Sequence, residues 1–314
     1  MTKSTRWVSS FGKAPFQLNQ HLPVIRLVTP LTEERGIELW VLRLDQTDSV
    51  VSGNKWFKLK YNLLQARESG RSAVLSFGGA YSNHIHALAR AGFLMGIQTI
   101  GVIRGEPEYA NNPTLQDAIE WGMKLQFVDR KTYRRRHDTD YQELLSKTFD
   151  DPVIIPEGGS NSLAIKGCAE ILSDELLSRI QPDQIVLPCG TGGTLAGLCV
   201  ANPELNILGI PVLKGADFLY QDIRNLIQDA GMEDSDNWQL DLEGHYGGYA
   251  KADSSLIAFI QQMNSLHHLP LEQVYTGKML MRLMERIDAG LYPEGSSILA
   301  LHTGGLQGTR SLEY

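Results

Sequence analysis

Short apolar runs alternate with helical patterns along most of the chain, from residue 70 to near its end. The runs have the length of buried strands and fall into two sets, residues 73–77, 97–103, 125–128 and 153–155, followed by 185–187, 207–210 and 298–301. Helical patterns between the runs begin near Ser82, Thr114, Tyr141, Ala164, Thr194, Ala216, Ser254 and Gly277. This alternation predicts an α/β fold with parallel sheets covered by helices.

The two sets of strands follow one another with no obvious linker, internal repeat or low-complexity segment between them. A single hinge between two consecutive domains is therefore not expected. We predict instead that the chain passes twice between two domains, near residues 60 and 158. The larger domain would comprise residues 1–60 and 159–314, and the smaller, inserted α/β domain would comprise residues 61–158.

A lysine in the segment Ser-Gly-Asn-Lys-Trp-Phe-Lys, residues 52–58, is the first candidate for chemistry. Lys55 lies between glycine and asparagine turn formers and a predicted amphipathic helix with an apolar stripe at Leu59 and Leu63. An amine that is held rigidly and shielded from water loses its proton more easily and can attack a carbonyl carbon. Most lysines are solvated surface charges, so the segment by itself is only a weak indication of a catalytic lysine.

Four loops that follow predicted strands are rich in glycine and small polar residues: 78–84, 157–161, 190–194 and 302–305. In open α/β sheets, ligands bind at the carboxyl ends of the strands, where these loops are expected. Glycines let backbone amides approach an anion, and the helix that follows adds the positive end of its dipole. The loops together predict a ligand site that accepts an anionic group.

The loop Gly190-Thr191-Gly192-Gly193-Thr194 is the best candidate for a phosphate site. It could be a tight turn that needs glycine, but Thr191 and Thr194 supply hydroxyl donors that a plain turn would not require. The loop is not a P-loop, since no lysine follows its last glycine at the required place. It also fails the dinucleotide fingerprint, because Leu195 stands where a third glycine or an alanine is needed.

The segment Ser82-Asn83-His84 is a candidate site for a substrate carboxylate. Ser82 is well placed as a helix N-cap, which would by itself explain a serine there. Capping does not explain Asn83 and His84, whose amides and side chains could hold a carboxylate. His84 and His86 point to different faces of the predicted helix, so we expect no metal site. Hydrolase signatures such as the Gly-x-Ser-x-Gly elbow do not occur in the sequence.

Composition and charge restrict the possible partners of the chain. The 314 residues are 42% hydrophobic and carry a net charge of −7, which predicts no general attraction to nucleic acid or to anionic membranes. The basic residues between 130 and 136 are followed by Asp138 and Asp140, so we interpret that segment as a solvated loop. We find no signal-peptide pattern at the N-terminus and no long apolar run, and three cysteines suit a reducing compartment, which predicts a cytoplasmic protein.

Taken together, the motifs resemble those of the fold type II pyridoxal-phosphate enzymes, the tryptophan synthase β-like group. The chain is most similar to the branch that holds D-cysteine desulfhydrase and 1-aminocyclopropane-1-carboxylate deaminase. Five motifs in the order of the family carry this resemblance: Gly53-Asn54-Lys55 with Lys58, Gly78-Gly79-x-x-Ser82-Asn83-His84, Gly158-Gly159-Ser160-Asn161, Tyr275-Thr276-Gly277-Lys278 and His302-Thr303-Gly304-Gly305. The resemblance implies two open, parallel-rich sheets wrapped by helices, with the active site between domains and the cofactor phosphate on the larger domain.

The resemblance also implies roles for individual residues. Lys55 would attach covalently to the aldehyde of pyridoxal 5′-phosphate, and Asn83 would hydrogen-bond the ring hydroxyl of the cofactor. Further cofactor contacts would come from the phosphate-binding residues and from two threonines: Lys58, Thr191, Gly192, Gly193, Thr194, Thr276 and Thr303. Ser82 would bind the substrate carboxylate and take part in proton transfer. Tyr249 and Tyr275 look like the two active-site tyrosines of the family.

Thr276 and Thr303 decide the expected substrate. The deaminase type has glutamate and leucine at these two positions. A carboxylate beside the pyridine nitrogen would stabilise its protonated form, whereas a threonine hydroxyl provides no countercharge. A neutral pyridine is a weaker electron sink, which suits β-elimination better than the opening of a cyclopropane ring. The expected reaction is therefore β-elimination on a small D-amino acid, with D-cysteine giving pyruvate, ammonia and hydrogen sulfide.

Some residues depart from the pattern of the family. Tyr81 and His86 replace a glutamine and an arginine, and Trp56 and Phe57 add bulk beside the lysine. Alternatives within the fold are a 1-aminocyclopropane-1-carboxylate deaminase or another small amino acid lyase or dehydratase. Alternatives from other classes are a non-catalytic ligand-binding protein and a nucleotide-dependent oxidoreductase. A homodimer is expected by resemblance alone.

Overall fold

The computed structural model describes residues 22–48 and 51–312. Strands within these residues are β1 Val24–Arg26, β2 Glu38–Arg43, β3 Ala73–Gly79, β4 Gln98–Arg104, β5 Lys124–Val128, β6 Val153–Ile155, β7 Gln184–Cys189, β8 Asn206–Pro211, β9 Trp238–Leu240 and β10 Ser297–His302. Helices are α1 Pro30–Glu34, α2 Asn54–Glu68, α3 Asn83–Met95, α4 Pro113–Glu120, α5 Arg130–Arg134, α6 Thr139–Thr148, α7 Ser162–Cys168, α8 Asp174–Ile180, α9 Gly193–Ala201, α10 Phe218–Asp229, α11 Ser254–His267 and α12 Thr276–Asp288. The N-terminal segment, which we interpreted as lacking a signal peptide, lies outside the described residues.

The strands form two sheets. Six of them have the order β1-β2-β10-β7-β8-β9, in which β1 runs antiparallel to β2 and the other neighbours are parallel. The other four strands have the order β5-β4-β3-β6 and are parallel throughout. The predicted α/β fold with two open, parallel-rich sheets is confirmed.

The four-stranded sheet is built from one continuous part of the chain, residues 73–155. The six-stranded sheet takes β1 and β2 from before this part and β7 to β10 from after it. Helix α2 connects β2 to β3, and α7 and α8 lie between β6 and β7, so the chain passes twice between the sheets. The division into domains at residues 60 and 158 remains our proposal.

The central strands are buried on both faces, as parallel strands covered by helices must be. In β3 the residues from Ala73 to Gly78 are buried, and Ser76 is the polar exception. Its hydroxyl donates to the carbonyl oxygen of Ile155 on the neighbouring strand β6 (2.8 Å), which satisfies the buried group. Double burial explains why these strands appear in the sequence as continuous apolar runs.

Helix α2 differs from the amphipathic helix that we predicted. Its polar residues Lys58, Lys60 and Asn62 are buried together with its apolar stripe, because α7 packs against it closely. A Cβ on Gly167 of α7 would lie 1.8 Å from the carbonyl oxygen of Phe57, so only glycine allows this approach. The buried lysines of α2 therefore need partners inside the protein.

The basic segment after residue 129 also differs from its prediction. It is helix α5 followed by a 3₁₀ turn, and not a loop. Asp129 caps the helix by accepting from the amide of Thr132 (2.7 Å). Most of its side chains are exposed to solvent, and Arg135 pairs with Asp138 (3.3 Å).

Within the described ranges, no helix is both long enough and apolar enough to cross a membrane.

Candidate active site

Lys55 lies in the first turn of α2, half-buried in the described structure. Its Nζ donates to Oδ1 of Asn54 (2.7 Å), and the Nδ2 of Asn54 donates to Oγ1 of Thr194 (2.8 Å). Asn54 therefore connects the lysine to the glycine-rich loop before α9, 140 residues later in the chain. The candidate nucleophile and one end of the candidate phosphate site form one hydrogen-bonded unit.

Burial lowers the pKa of Lys55 to about 7. The loss of hydration is the largest cause, and the positive charge of Lys58 adds to it, whereas Cys168 and Glu272 act in the opposite direction. Near neutral pH a large fraction of the amine is therefore unprotonated. An unprotonated amine is the form that attacks a carbonyl carbon.

Lys58, one turn further along α2, is the cation of the candidate phosphate site. Its Nζ donates to the carbonyl oxygen of Gly158 (2.9 Å), to Oγ of Ser160 (2.8 Å) and to Oγ1 of Thr191 (3.1 Å). The hydroxyls of Ser160 and Thr191 also share a hydrogen bond of 2.6 Å. Burial lowers the pKa of Lys58 to about 8. One ammonium and two hydroxyls thus converge between two glycine-rich loops, which is the donor set an oxyanion requires.

The N-terminus of α9 completes this cradle. Gly192 is the N-cap residue, with φ at 73°, and no side chain caps the helix. The first amides of α9 therefore have no side-chain acceptor. A Cβ on Gly193 would lie 2.7 Å from Oγ of Ser160 and 3.1 Å from Cε of Lys58, so a side chain there would fill the cradle. The geometry supports a phosphate site more strongly than a plain turn.

Ser82 caps α3, as the sequence predicted. Its Oγ accepts from the amide of Ile85 (3.3 Å), and a Cβ on Gly78 would lie 2.7 Å from the same oxygen. The amides of Asn83 and His84 precede the first intrahelical hydrogen bonds and can hold a carboxylate. Asn83 Oδ1 accepts from Nε2 of Gln307 (2.6 Å), which joins α3 to the C-terminal 3₁₀ turn Leu306–Leu312.

The ring of His84 does not have the role that we considered for it. The Ser76 hydroxyl donates to a carbonyl, so Nε2 of His84 must donate to Ser76 (2.7 Å), which leaves Nδ1 without a proton. Burial, together with the positive charges of Lys55 and Lys58, holds the pKa of His84 well below its usual value. A neutral ring with these partners cannot bind a carboxylate, so only the amide of His84 remains for that role.

Tyr275 and Tyr249 lie together at the glycine-rich loop. Their rings meet edge to face with centroids 6.2 Å apart, and their phenols share a hydrogen bond. A Cβ on Gly190 would lie 3.2 Å from Cε1 of Tyr275. Burial raises the pKa of both phenols, that of Tyr275 well above its usual value. Both side chains are therefore protonated at neutral pH and can donate hydrogen bonds.

Thr276 and Thr303 occupy different positions around the site. Thr276 is fully buried, and its Oγ1 donates to Oε1 of Glu272 (3.0 Å). The carbonyl oxygen of Thr303 accepts from the amide of Asn54 (3.2 Å), which fixes the start of α2. Thr276 is therefore not an isolated neutral hydroxyl, because it is hydrogen-bonded to the buried carboxylate of Glu272.

The structure joins Lys55 to Thr194 through Asn54, and it brings Lys58 into contact with Thr191 and Tyr249 into contact with Tyr275. It also adds residues for which the sequence analysis gave no role: Asn54, Ser160, Glu272 and Gln307. Asn54 and Ser160 stand inside the quoted motifs, so their polar side chains were an available signal. Glu272 lies four residues before Thr276, a spacing from which a carboxylate can accept from the amides of a helix N-terminus.

No metal centre is part of this site as far as the structure describes it. Across residues 22–48 and 51–312, no three His, Cys, Asp or Glu side chains are grouped so that they could hold an ion. His86, which we considered with His84, pairs instead with Asp117 (2.8 Å).

Gly53 sets the position of Lys55, and we expect Gly53→Ala to destabilise the protein by about 3 kcal/mol or more. Its φ is 74°, and a Cβ would lie 2.0 Å from the carbonyl oxygen of Thr303, so both strain and a backbone clash result. Gly70 is the matched control, since its φ is 70° and no atom lies within 4 Å of its Cβ position. Urea unfolding should show a much larger fall in midpoint for Gly53→Ala than for Gly70→Ala. Equal losses would mean that the contact with Thr303 is unimportant.

Comparison with known proteins bears on the identity of this site. The family model described as pyridoxal-phosphate dependent enzyme matches residues 20–304. An Arabidopsis thaliana protein named bifunctional D-cysteine desulfhydrase/1-aminocyclopropane-1-carboxylate deaminase is 29% identical over 87% of the chain and 73% of its own length. A Klebsiella pneumoniae D-cysteine desulfhydrase is 24% identical over 88% of the chain and 89% of its own length. A crystal structure of an ACC deaminase homologue superposes with a TM-score of 0.80 at 26% identity, covering 96% of this chain and 95% of the other.

Proposed function

Because the chain belongs to the family of pyridoxal-phosphate dependent enzymes, we propose that it catalyses β-elimination on a small D-amino acid. The expected substrate is D-cysteine, which with one water gives pyruvate, ammonia and hydrogen sulfide. The observation that carries the proposal is the Lys55 amine, whose pKa burial lowers to about 7, next to the cradle formed with Lys58. The similarity to enzymes named for D-cysteine desulfhydration supports the choice of reaction.

The residues of the site fit pyridoxal phosphate. An aldehyde needs an unprotonated amine, and Lys55 provides one near neutral pH. A phosphate needs an anion site at a fixed distance from that amine, and the cradle of Lys58, Thr191 and Gly193 lies one helical turn away. We propose that Lys55, Lys58, Asn83 and the loop from Thr191 to Thr194 hold the cofactor.

The cofactor, when bound, supplies an electron sink for the bond broken at the substrate α-carbon. Lys55 can accept the α-proton when its amine is free, because its pKa lies near neutrality. Ser82 and the first amides of α3 can orient the substrate carboxylate. Tyr275, which burial keeps protonated, can donate a hydrogen bond to a leaving thiolate. The chain thus has a candidate group for binding the substrate carboxylate, for moving the α-proton and for assisting the leaving group.

A second candidate, deamination of 1-aminocyclopropane-1-carboxylate, is favoured by one observation. The Thr276 hydroxyl contacts the Glu272 carboxylate, so negative charge is available one side chain away from the position where the deaminase type has its glutamate. Enzymes named for both activities are similar to this chain. We still prefer β-elimination, because Thr276 itself brings no charge into contact with a ligand.

Purified protein should release pyruvate and sulfide from D-cysteine and much less from L-cysteine. D-serine and 1-aminocyclopropane-1-carboxylate are the comparison substrates, with 2-oxobutyrate measured for the second. Equal release from L-cysteine would contradict the stereochemical assignment. Turnover of the cyclopropane substrate alone would establish the second candidate instead. A yellow protein that turns over none of these amino acids would favour a ligand-binding role.

The site takes residues from elements attached to both sheets, since α9 follows β7 of the larger sheet, α3 follows β3 of the smaller one, and α2 connects the two sheets between β2 and β3. We therefore propose that the active site lies between the two predicted domains. A homodimer and a cytoplasmic location are also proposals, the first from the resemblance and the second from composition and cysteine content.

A further inference from the structure

We propose that Gln307 is a positioning residue for Asn83: it determines which atom of the Asn83 amide faces the ring hydroxyl of the cofactor. This inference rests on the proposed function, in which Asn83 contacts pyridoxal phosphate. With Oδ1 of Asn83 bound to Gln307, Nδ2 is the atom that is left to donate to the ring oxygen. A reversed amide would present a second acceptor to that oxygen and would weaken the binding of the cofactor.

The contact between the two amides is direct. Nε2 of Gln307, in the 3₁₀ turn Leu306–Leu312, donates to Oδ1 of Asn83, the first residue of α3 (2.6 Å). A side-chain amide has one acceptor oxygen and one donor nitrogen, so this bond uses the acceptor of Asn83. Among residues 22–48 and 51–312, Nδ2 of Asn83 has no hydrogen-bond partner. The donor of Asn83 is therefore available to a ligand.

Nδ2 of Asn83 lies against the loop that also holds the start of α2. A Cβ on Gly305 would be 2.6 Å from this nitrogen, so only glycine leaves room for the amide in this place. Two residues before Gly305, the carbonyl oxygen of Thr303 accepts from the amide of Asn54 (3.2 Å), the neighbour of Lys55. The free donor of Asn83 and the segment that carries the candidate nucleophile thus contact the same loop.

The turn that carries Gln307 is attached to α3 and α4 at a second point. Nη2 of Arg310 pairs with Oδ2 of Asp117 on α4 (2.5 Å), and the same carboxylate oxygen contacts Nε2 of His86 on α3 (2.8 Å). His86 lies three residues after Asn83, so the two residues are neighbours on the surface of the helix. Two points of attachment limit the movement of the turn, so Gln307 can hold the Asn83 amide in one orientation.

Gln307→Glu is the decisive variant, because a carboxylate has nearly the same shape as the amide but only accepts hydrogen bonds. The Asn83 amide must then turn its Nδ2 toward the carboxylate and present Oδ1 to the cofactor. Gln307→Met removes the hydrogen bond without reversing the amide, so it should have a smaller effect in the same direction. This second variant decides the question if Gln307→Glu does not fold.

The full-length chain is freed of cofactor with hydroxylamine and titrated, with absorbance as the signal, with pyridoxal phosphate and with 3-deoxypyridoxal phosphate, which lacks the ring hydroxyl. In Gln307→Glu the dissociation constant for pyridoxal phosphate should rise about tenfold, whereas that for the deoxy compound should rise less than about twofold. In Gln307→Met the preference for pyridoxal phosphate should fall about threefold. A purely structural role of Gln307 would weaken the binding of both ligands equally.

Gln221→Glu is the matched control. Nε2 of Gln221 donates to Oδ1 of Asn225 (2.8 Å), which is the same kind of amide pair on the exposed face of α10. This variant should keep the wild-type preference for pyridoxal phosphate. A second control repeats Gln307→Glu in the background of Asn83→Ala, where the preference should fall no further. A further fall would mean that the new charge acts on the cofactor directly, which contradicts the role of Asn83.

An unchanged preference in Gln307→Glu, or an equal loss of affinity for the two ligands, would overturn the inference and leave the proposed function intact. Failure of the proposed function looks different. In that case the wild-type chain would bind neither ligand, and the role of Gln307 toward the cofactor would be refuted with it.

Discussion

Replacing Lys55 with methionine should abolish covalent attachment of the cofactor and reduce turnover by roughly 10³-fold or more. Methionine keeps an unbranched side chain but removes the amine, and with it both the group that bonds the aldehyde and the candidate base for the α-proton. Borohydride treatment of the wild-type protein should fix the cofactor on the peptide that contains Lys55. The Lys55→Met protein should carry no fixed cofactor in the same mass-spectrometric measurement.

Lys60→Met is the matched control for this experiment. Lys60 lies on the same helix, is buried, and has its pKa lowered by burial as well, but its Nζ pairs with Glu170 (2.5 Å) instead of the site. Loss of this amine should leave cofactor fixation intact and change turnover by less than about tenfold. If Lys60→Met removes fixation, or if Lys55→Met retains it, the assignment of the nucleophile is wrong.

Most strands that the sequence predicted are covered on both faces; the exception is β5, a partly exposed strand at the edge of its sheet. Helix-covered strands such as β3 and β8 are apolar along their length, and the sequence pattern shows this directly. Strand β2 was missed because it begins with Glu38 and ends with Arg43, whose charge is satisfied by Asp45 (2.7 Å). Strand β9 has only three residues, which is too short for a period to be visible.

The sequence predicted those site residues whose reactive or binding side chains stand together in one short segment. Lys55 and Lys58 share a segment with turn formers, and Ser82 has the position of a helix cap. The partners of these residues were not predictable, because they are distant in the chain. Gln307 donates to Asn83 across 224 residues, and only the folded chain brings the two together.

The ring of His84 shows a different limit. Its neighbour in the fold, Ser76, lies inside a strand, and its tautomer depends on the carbonyl of Ile155. A motif identifies the type of residue but not the direction of its hydrogen bonds. The same holds for Thr276, whose hydroxyl looked neutral in the sequence and contacts a carboxylate in the structure.

Lys58→Met should weaken the binding of pyridoxal phosphate by about 100-fold. The ammonium of Lys58 contacts both hydroxyls of the cradle, those of Ser160 and Thr191, so its loss removes the cation at the place where the phosphate would bind. A charge-assisted contact with a phosphate contributes about 3 kcal/mol, which corresponds to this change in dissociation constant. Equilibrium titration followed by absorbance measures it.

The comparison with pyridoxal, which lacks the phosphate, isolates the role of Lys58. The affinity of the protein for pyridoxal should change by less than about threefold in Lys58→Met, because Lys55 and the rest of the site remain. Lys278→Met is the control variant: burial also lowers the pKa of Lys278 to about 8, but its Nζ donates to the carbonyl oxygens of His245 and Gly248. That variant should leave the ratio of the two affinities unchanged. An equal loss of affinity for pyridoxal phosphate and pyridoxal in Lys58→Met would show that Lys58 supports the fold of the cradle and does not bind the phosphate. Only a direct contact with the phosphate can weaken the binding of pyridoxal phosphate more than that of pyridoxal.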